Sequence, residues 1–294
     1  MSRLRRTALT ALVIAASALA ACSNASVEPD NKVALPAKAE KIVSLSPTAT
    51  ETLFAIGAGK QVIAVDDQSN YPKEAPRTKL SSFNLSVEAV AKYKPDLVVM
   101  AFDTSAGKNA LDAFAKLKIP VLMQPAAEKI GDVYDQIKEL GVATGRSKQA
   151  DELVTSMKDK IKAIVAGVVP EKDQKFFHEV DNTLYSATSK TFIGSIYADF
   201  GLKNIADAAG AAATTGYPQL TNEMIVQQNP SLIFLGDASY GESLATVSAR
   251  PGWAAIDAVA KARVTLLDAD IASRWGPRVV DLYQAIAAGI PSIM

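Results

Sequence analysis

One stretch of this chain occurs twice, and that repetition constrains the fold more than any other feature. Residues 85–100 read LSVEAVAKYKPDLVVM, and residues 220–235, 135 positions later, read LTNEMIVQQNPSLIFL. Aligned without a gap, Leu85, Glu88, Pro95 and Leu97 meet Leu220, Glu223, Pro230 and Leu232. The pairs Ser86/Thr221, Val90/Ile225, Val98/Ile233 and Met100/Leu235 keep their chemistry. Each copy predicts the same unit. A Ser or Thr N-cap opens a short helix with a Glu in its first turn. A Pro stops the helix, and an apolar run follows that suits a buried parallel strand. The copies flank one long helical segment, so two similar lobes are expected, each with one Glu in the same local position.

The rest of the chain fits that plan. Its 294 residues are enough for about two domains. In the first half, strands are expected at 42–45, 62–65 and 121–123 beside the repeat strand. A helix starts at Ser46-Pro47-Thr48, where Thr48 with Glu51 fits a capping box. Gly145 then breaks the chain. Apolar residues from Leu153 through Met157, Ile161 and Ile164 to Val168 stripe a helix over 147–168, roughly 33 Å long and able to reach from one lobe to the other. In the second half, strands are expected at 175–180 and 264–267 and helices at 193–200 and 279–288, with 208–216, 237–241 and 268–276 as loops. Alternating strands and helices give an α/β protein of two Rossmann-like lobes with largely parallel sheets, joined by a single long helix. The expected segments are an N-terminal lobe over 40–145, an inter-lobe helix over 146–170 and a C-terminal lobe over 171–294. Ligands of such sheets bind outside the carboxyl ends of the strands, so loops of both lobes should surround one cleft.

The N-terminus sets the compartment. Arg3, Arg5 and Arg6 precede an apolar run over 7–21, shorter than the ~20 residues of a membrane span. This is an export signal over 1–21. Leu19-Ala20-Ala21-Cys22 resembles the bacterial lipobox, in which the Cys thiol receives a diacylglycerol. Cys22 is therefore the expected lipidation site, and two or three acyl chains make a stable anchor. Residues 22–39 are polar and read as a flexible tether. Cys22 is the one cysteine, so no internal disulfide forms. Without the three N-terminal arginines, 28 basic and 31 acidic side chains leave a formal charge of −3, which does not suit a nucleic-acid partner.

Catalytic signatures mostly fail; acidic pairs such as Asp66-Asp67 and Asp268/Asp270 could serve as acid and base but read as loop caps or solvated turns. A single histidine, His178, rules out a His-based zinc cluster and HExxH. There is no GxSxG elbow. Gly57-Ala58-Gly59 reads as a helix stop, and Ser105-Ala106-Gly107-Lys108 has the S-x-x-K spacing without S-D-N or K-T-G. Binding chemistry is better represented. The expected cleft loops carry Gln68, Tyr71, Phe83 and Phe102 from the first lobe, and His178, Tyr185, Tyr217, Tyr240 and Trp275 from the second. Aromatic walls with a few polar anchors are what a small-molecule pocket needs. Arg274 and Arg278, in DIASRWGPR, offer forks that read carboxylate or phosphate, or that pair with Asp270.

These pieces, in this order and spacing, are KIVSLSPTATETLFAIGAG, DDQSNYP, VEAVAKYKPDLV, LYSATSKTFIG, TNEMIVQQNPSLI and DIASRWGPR. Over residues 41–294 the chain resembles the bacterial substrate-binding proteins that serve ABC importers of cobalamin, iron-siderophores and haem. The resemblance implies the class III periplasmic-binding-protein fold. It implies an exported, membrane-anchored or periplasmic receptor, monomeric, that captures a metal chelate and needs no resident cofactor or metal. In this family a Glu on each lobe docks on arginines of the transmembrane subunits, and the matching positions are Glu88 and Glu223. Ligand contacts of the cobalamin-binding members fall at or near Gln68, Phe83, Phe102, Asp270 and Arg274. Here Gln68 stands in place of an aromatic, and Phe83 and Phe102 in place of tryptophans. Siderophore-binding members also use Arg and Tyr. A rival reading is a secreted lipoprotein hydrolase using Asp268 or Asp270, for which no nucleophile–base pair is visible. A zinc or manganese receptor of similar fold is disfavoured by the single histidine.

Overall fold

The computed structural model describes residues 33–101 and 105–291. The export signal, Cys22, most of the tether and Phe102 lie outside the described residues. The first lobe runs β1 (Ile42–Leu45), α1 (Pro47–Ala55), β2 (Val62–Val65), α2 (Val87–Ala91), β3 (Leu97–Met100), α3 (Ser105–Lys116), β4 (Val121–Met123) and α4 (Ile130–Thr144). Its strands are all parallel, in the order β2-β1-β3-β4. Gly145, at φ 67°, ends α4 in the left-handed conformation that glycine tolerates best, and α5 (Ser147–Ala166) follows. The second lobe runs β5 (Lys175–Glu179), α6 (Phe192–Asp199), β6 (Lys203–Asn204), α7 (Asn222–Gln228), β7 (Leu232–Leu235), α8 (Leu244–Ser248), α9 (Asp257–Ala260), β8 (Val264–Leu266), α10 (Ala269–Ser273) and α11 (Val279–Gly289). Its parallel order, β6-β5-β7-β8, repeats the first.

The two copies of the repeated stretch occupy equivalent places. Ser86 Oγ accepts the Ala89 N–H at 3.2 Å to open α2, and Thr221 Oγ1 accepts the Met224 N–H at 3.1 Å to open α7. Glu88 and Glu223 sit in the first turns and are exposed. The helices end before the prolines, and the chain turns through a left-handed residue, Lys94 at φ 51° and Asn229 at φ 46°. The strands then pair in matching register, Ile42 with Leu97 and Phe176 with Leu232. Both faces of each sheet are covered, as an all-parallel sheet requires. Leu97, Val99, Leu232 and Phe234 point into one shared core. Val98 and Met100 face an outer cluster of the first lobe, and Ile233 and Leu235 one of the second.

That shared core runs through both lobes. It joins Leu53 and Ile137 of the first lobe through Met157 and Ile161 of α5 to Phe176, Phe234 and Tyr283 of the second. Helix α5 packs on α4 on one side and α11 on the other. Among the described residues no helix is long and apolar enough to cross a membrane.

Local differences from the sequence expectations have plain causes. The cap of α1 is Ser46, not Thr48, because Pro47 takes the first helical position. Glu51 is thereby moved into the helix body, where its side chain is almost fully buried. Residues 268–276 hold the helix α10, because Asp268 accepts the Ile271 N–H at 3.0 Å and caps it. Short 3-10 turns fill 205–208 and 210–215.

Candidate ligand-binding cleft

A cavity of about 380 Å³ opens where the strand ends of the two lobes meet. The first lobe supplies Leu45 at the end of β1 with residues 46–48 after it, Gln68 after β2, and Ala101 after β3, so the cavity sits at its topological switch point between β1 and β3. The second lobe supplies Tyr240 after β7 and the α10 segment with Asp270, Ser273, Arg274 and Trp275. Six residues of the expected cleft thus come together: Gln68, Phe83, Tyr240, Asp270, Arg274 and Trp275. Phe83 is 76% exposed and lines a second cavity of about 710 Å³ on its other side, which reaches Glu88.

Arg274 ties the cleft to an ionic clasp between the lobes. Glu51 of α1 receives three bonds from two guanidiniums: Arg274 Nη1 at 2.9 Å, Arg278 Nη2 at 2.6 Å and Arg278 Nε at 2.9 Å. Arg274 also donates to Asn70 Oδ1 at 2.8 Å, to the Gln68 carbonyl at 3.1 Å and to Asp270 Oδ1 at 2.7 Å. Asn70 Nδ2 donates to Asp270 Oδ2 at 2.7 Å. Arg278 lies over the Tyr71 ring, 4.3 Å from its centroid. Trp275 Nε1 donates to Gln136 of α4 at 3.2 Å, another bond between lobes. Glu51 and Asn70 carry no sequence signal of this role: the first resembled a capping acid and the second a loop residue.

Beneath the first-lobe wall, Asp66 accepts hydrogen bonds from Ser69 Oγ at 2.5 Å and Ser82 Oγ at 2.9 Å. Burial still raises its carboxyl pKa.

The other expected contacts are elsewhere. His178 is not a cleft residue. It is buried on β5, its Nδ1 sits 2.8 Å from the Tyr197 hydroxyl, and burial lowers its pKa to about 4, so the ring is neutral at pH 7. Tyr185 and Tyr217 are partly exposed on a segment of the second lobe where Tyr185 bridges to Gln219, outside this cavity. The carboxyl end of β5 carries an ion-pair cluster instead. Arg250 binds both Glu179 oxygens at 2.5 and 2.7 Å and Glu242 at 2.8 Å, and stacks on Trp253 at 4.5 Å. Burial pushes the Glu179 carboxyl up to about 7, with Arg250 opposing the rise. Among the described residues no group of three or more His, Cys, Asp or Glu side chains is arranged to hold a metal ion.

Comparison with known proteins agrees with this architecture. The family model of the periplasmic binding proteins matches residues 42–271. An uncharacterised ABC transporter substrate-binding lipoprotein of Bacillus subtilis (strain 168), YvrC, is 34% identical, with 95% of each chain covered. The vitamin B12-binding protein of Pectobacterium atrosepticum is 26% identical over 86% of this chain and 89% of its own. A solved structure of a possible iron-binding, periplasmic solute-binding protein from Staphylococcus epidermidis superposes with a TM-score of 0.73 at 28% identity, covering 86% of this chain and 98% of that one. Fold, strand-end cleft and family match agree: the chain belongs to the periplasmic binding protein family.

Proposed function

We propose that this protein is the extracytoplasmic receptor of an ABC importer, holding a metal chelate of the cobalamin, haem or ferric-siderophore kind in the cleft between its lobes. The observation that carries the reading is the cavity at the facing strand ends, walled by Phe83, Tyr240 and Trp275 and floored by the Asp270–Arg274 pair. The full-length likeness to a substrate-binding lipoprotein supports the transport role, and the vitamin B12- and iron-binding relatives support the ligand class.

In this reading Gln68, Phe83, Phe102, Asp270, Arg274 and Trp275 contact ligand, and Tyr185 and Tyr217 border the second lobe's approach. Glu88 and Glu223 dock on the transmembrane subunits as a charge pair held at fixed spacing by a rigid body. Cys22 carries the lipid anchor, and the monomer acts without covalent chemistry. The hydrolase alternative gains nothing from the relatives, which are named as binding proteins.

Tryptophan fluorescence tests the reading, because Trp275 lines the cavity while Trp253 is buried in the second lobe. Titration of the purified protein with cobalamin, haem and ferric siderophores should give saturable quenching by at least one of them. Absence of binding to every chelate by fluorescence and calorimetry rejects the proposal.

A further inference from the structure

Resting on that reading, we propose that Glu51 and Asp270 set the charge class of the ligand. They occupy Arg274, so that the cleft takes a chelate rimmed with neutral hydrogen-bond donors, such as carboxamides or hydroxyls, and disfavours one rimmed with carboxylates.

Arg274 is the guanidinium that lines the cavity, and its side chain is 10% exposed. Its two terminal nitrogens carry four N–H groups and make four contacts, two of them to carboxylates: Glu51 and Asn70 on Nη1, Gln68 O and Asp270 on Nη2. A carboxylate on an incoming ligand would have to displace protein oxygens that are already in place. It would also leave Glu51, buried beneath, with a weakened partner. The formal charges of Arg274, Arg278, Glu51 and Asp270 sum to zero, so Arg274 is not an uncompensated cation.

Three further polar groups of the wall turn their hydrogens away from the cavity, whereas the Tyr240 hydroxyl stays exposed. The Ser82 hydroxyl hydrogen goes to Asp66, that of Ser273 to the Ala269 carbonyl at 2.7 Å, and the Trp275 N–H to Gln136. A hydroxyl whose hydrogen is used inward presents lone pairs outward. Asp270 is 40% exposed and, beyond its bonds to Arg274 and Asn70, has lone pairs left for a donor. A cation that is internally paired beside a half-exposed carboxylate with lone pairs to spare selects donors.

The test uses the full-length protein and two cobalt corrins that share ring and metal. Dicyanocobinamide carries side-chain carboxamides, and dicyanocobyrinic acid carries carboxylates in their place. Calorimetry should show the amide form bound about tenfold tighter or more, the worth of one charge-assisted contact. Asp270→Ala should shrink that preference by about the same factor, since it frees Arg274 Nη2 and removes an acceptor. Asn70→Ala, which withdraws support from both residues without changing charge, should shift the preference in the same direction and serves where Asp270→Ala does not fold. Tight binding of a neutral ferric trihydroxamate with rejection of haem would equally support the assignment. Equal or tighter binding of the acid corrin, or tight binding of haem with its two carboxylates, overturns the charge rule and leaves the receptor reading standing. A preference unchanged in both variants removes the assignment to Glu51 and Asp270. No binding of any chelate overturns both.

Discussion

Glu51 is the side chain on which the two lobes meet, and its surroundings fix what its loss should do. Its carboxylate is all but buried between Arg274 and Arg278. Glu51→Ala would leave two guanidiniums facing each other, and breaking such a pair costs about 3 kcal/mol or more. Urea unfolding should show that loss, and a midpoint within error of wild type would contradict the role of the clasp. His178 gives a second prediction, in pH. Its folded pKa is lowered from 6.5 to about 4, so its stabilising contribution is full above pH 6.5 and is lost as pH falls through 4. The whole effect is about 3 kcal/mol. Glu179, raised to about 7, acts oppositely, losing stability as pH rises from 4.5 through 7. The two nearly cancel in the wild type, so the comparison must be with His178→Gln, which keeps a hydrogen-bonding end for Tyr197. The wild-type advantage over this variant should shrink by up to about 3 kcal/mol between pH 7 and pH 4, and a constant difference would contradict a buried neutral ring.

Within the elements, the two repeat units differ at one position in a way that tests their equivalence. Lys94 and Asn229 hold the same left-handed turn before a proline. Asn adopts that conformation at lower cost than Lys. Lys94→Asn, borrowing the second copy's residue at an exposed site, should raise stability by about 0.5–1 kcal/mol with cleft binding unchanged. No gain in the urea midpoint would mean that the turn is held by something other than its own backbone preference. The repeat was legible because it is written in the backbone's needs: Ser86 and Thr221 as caps, Pro95 and Pro230 as stops, Leu97 and Leu232 as buried strand starts. The DIASRWGPR segment stood out as a candidate because an Asp and two Arg stand close together. Glu51 was not legible as its partner, since 223 residues separate it from Arg274 and nothing local tells a capping acid from a buried one. His178 looked like a cleft residue because it stands near a strand end, and its inward orientation depends on Tyr197, a partner on another element. Helices α8 and α9 are too short for any apolar stripe to show.

Taken as a whole, the molecule is built to move little. In a two-lobed receptor joined by loops, the lobes can separate without breaking a core. Here Leu53 and Ile137 of one lobe and Phe176, Phe234 and Tyr283 of the other belong to one apolar cluster, with Met157 and Ile161 of α5 between them. Swinging the lobes apart would expose apolar surface at roughly 25 cal/mol per Å², and it would break the bonds of Glu51, Asn70 and Gln136 to the second lobe. Ligand binding is therefore expected to adjust side chains and strand-end loops more than the inter-lobe angle. Solution scattering of the protein with and without a saturating chelate should show radii of gyration that agree within about 1 Å. Glu51→Ala separates the two restraints: if the core dominates, the unliganded variant keeps the wild-type scattering profile even though it is less stable, and if the clasp dominates, its profile broadens. A large compaction of the wild type on binding would refute the shared core as the restraint, and would mean that the lobes exchange apolar contacts with solvent during each transport cycle.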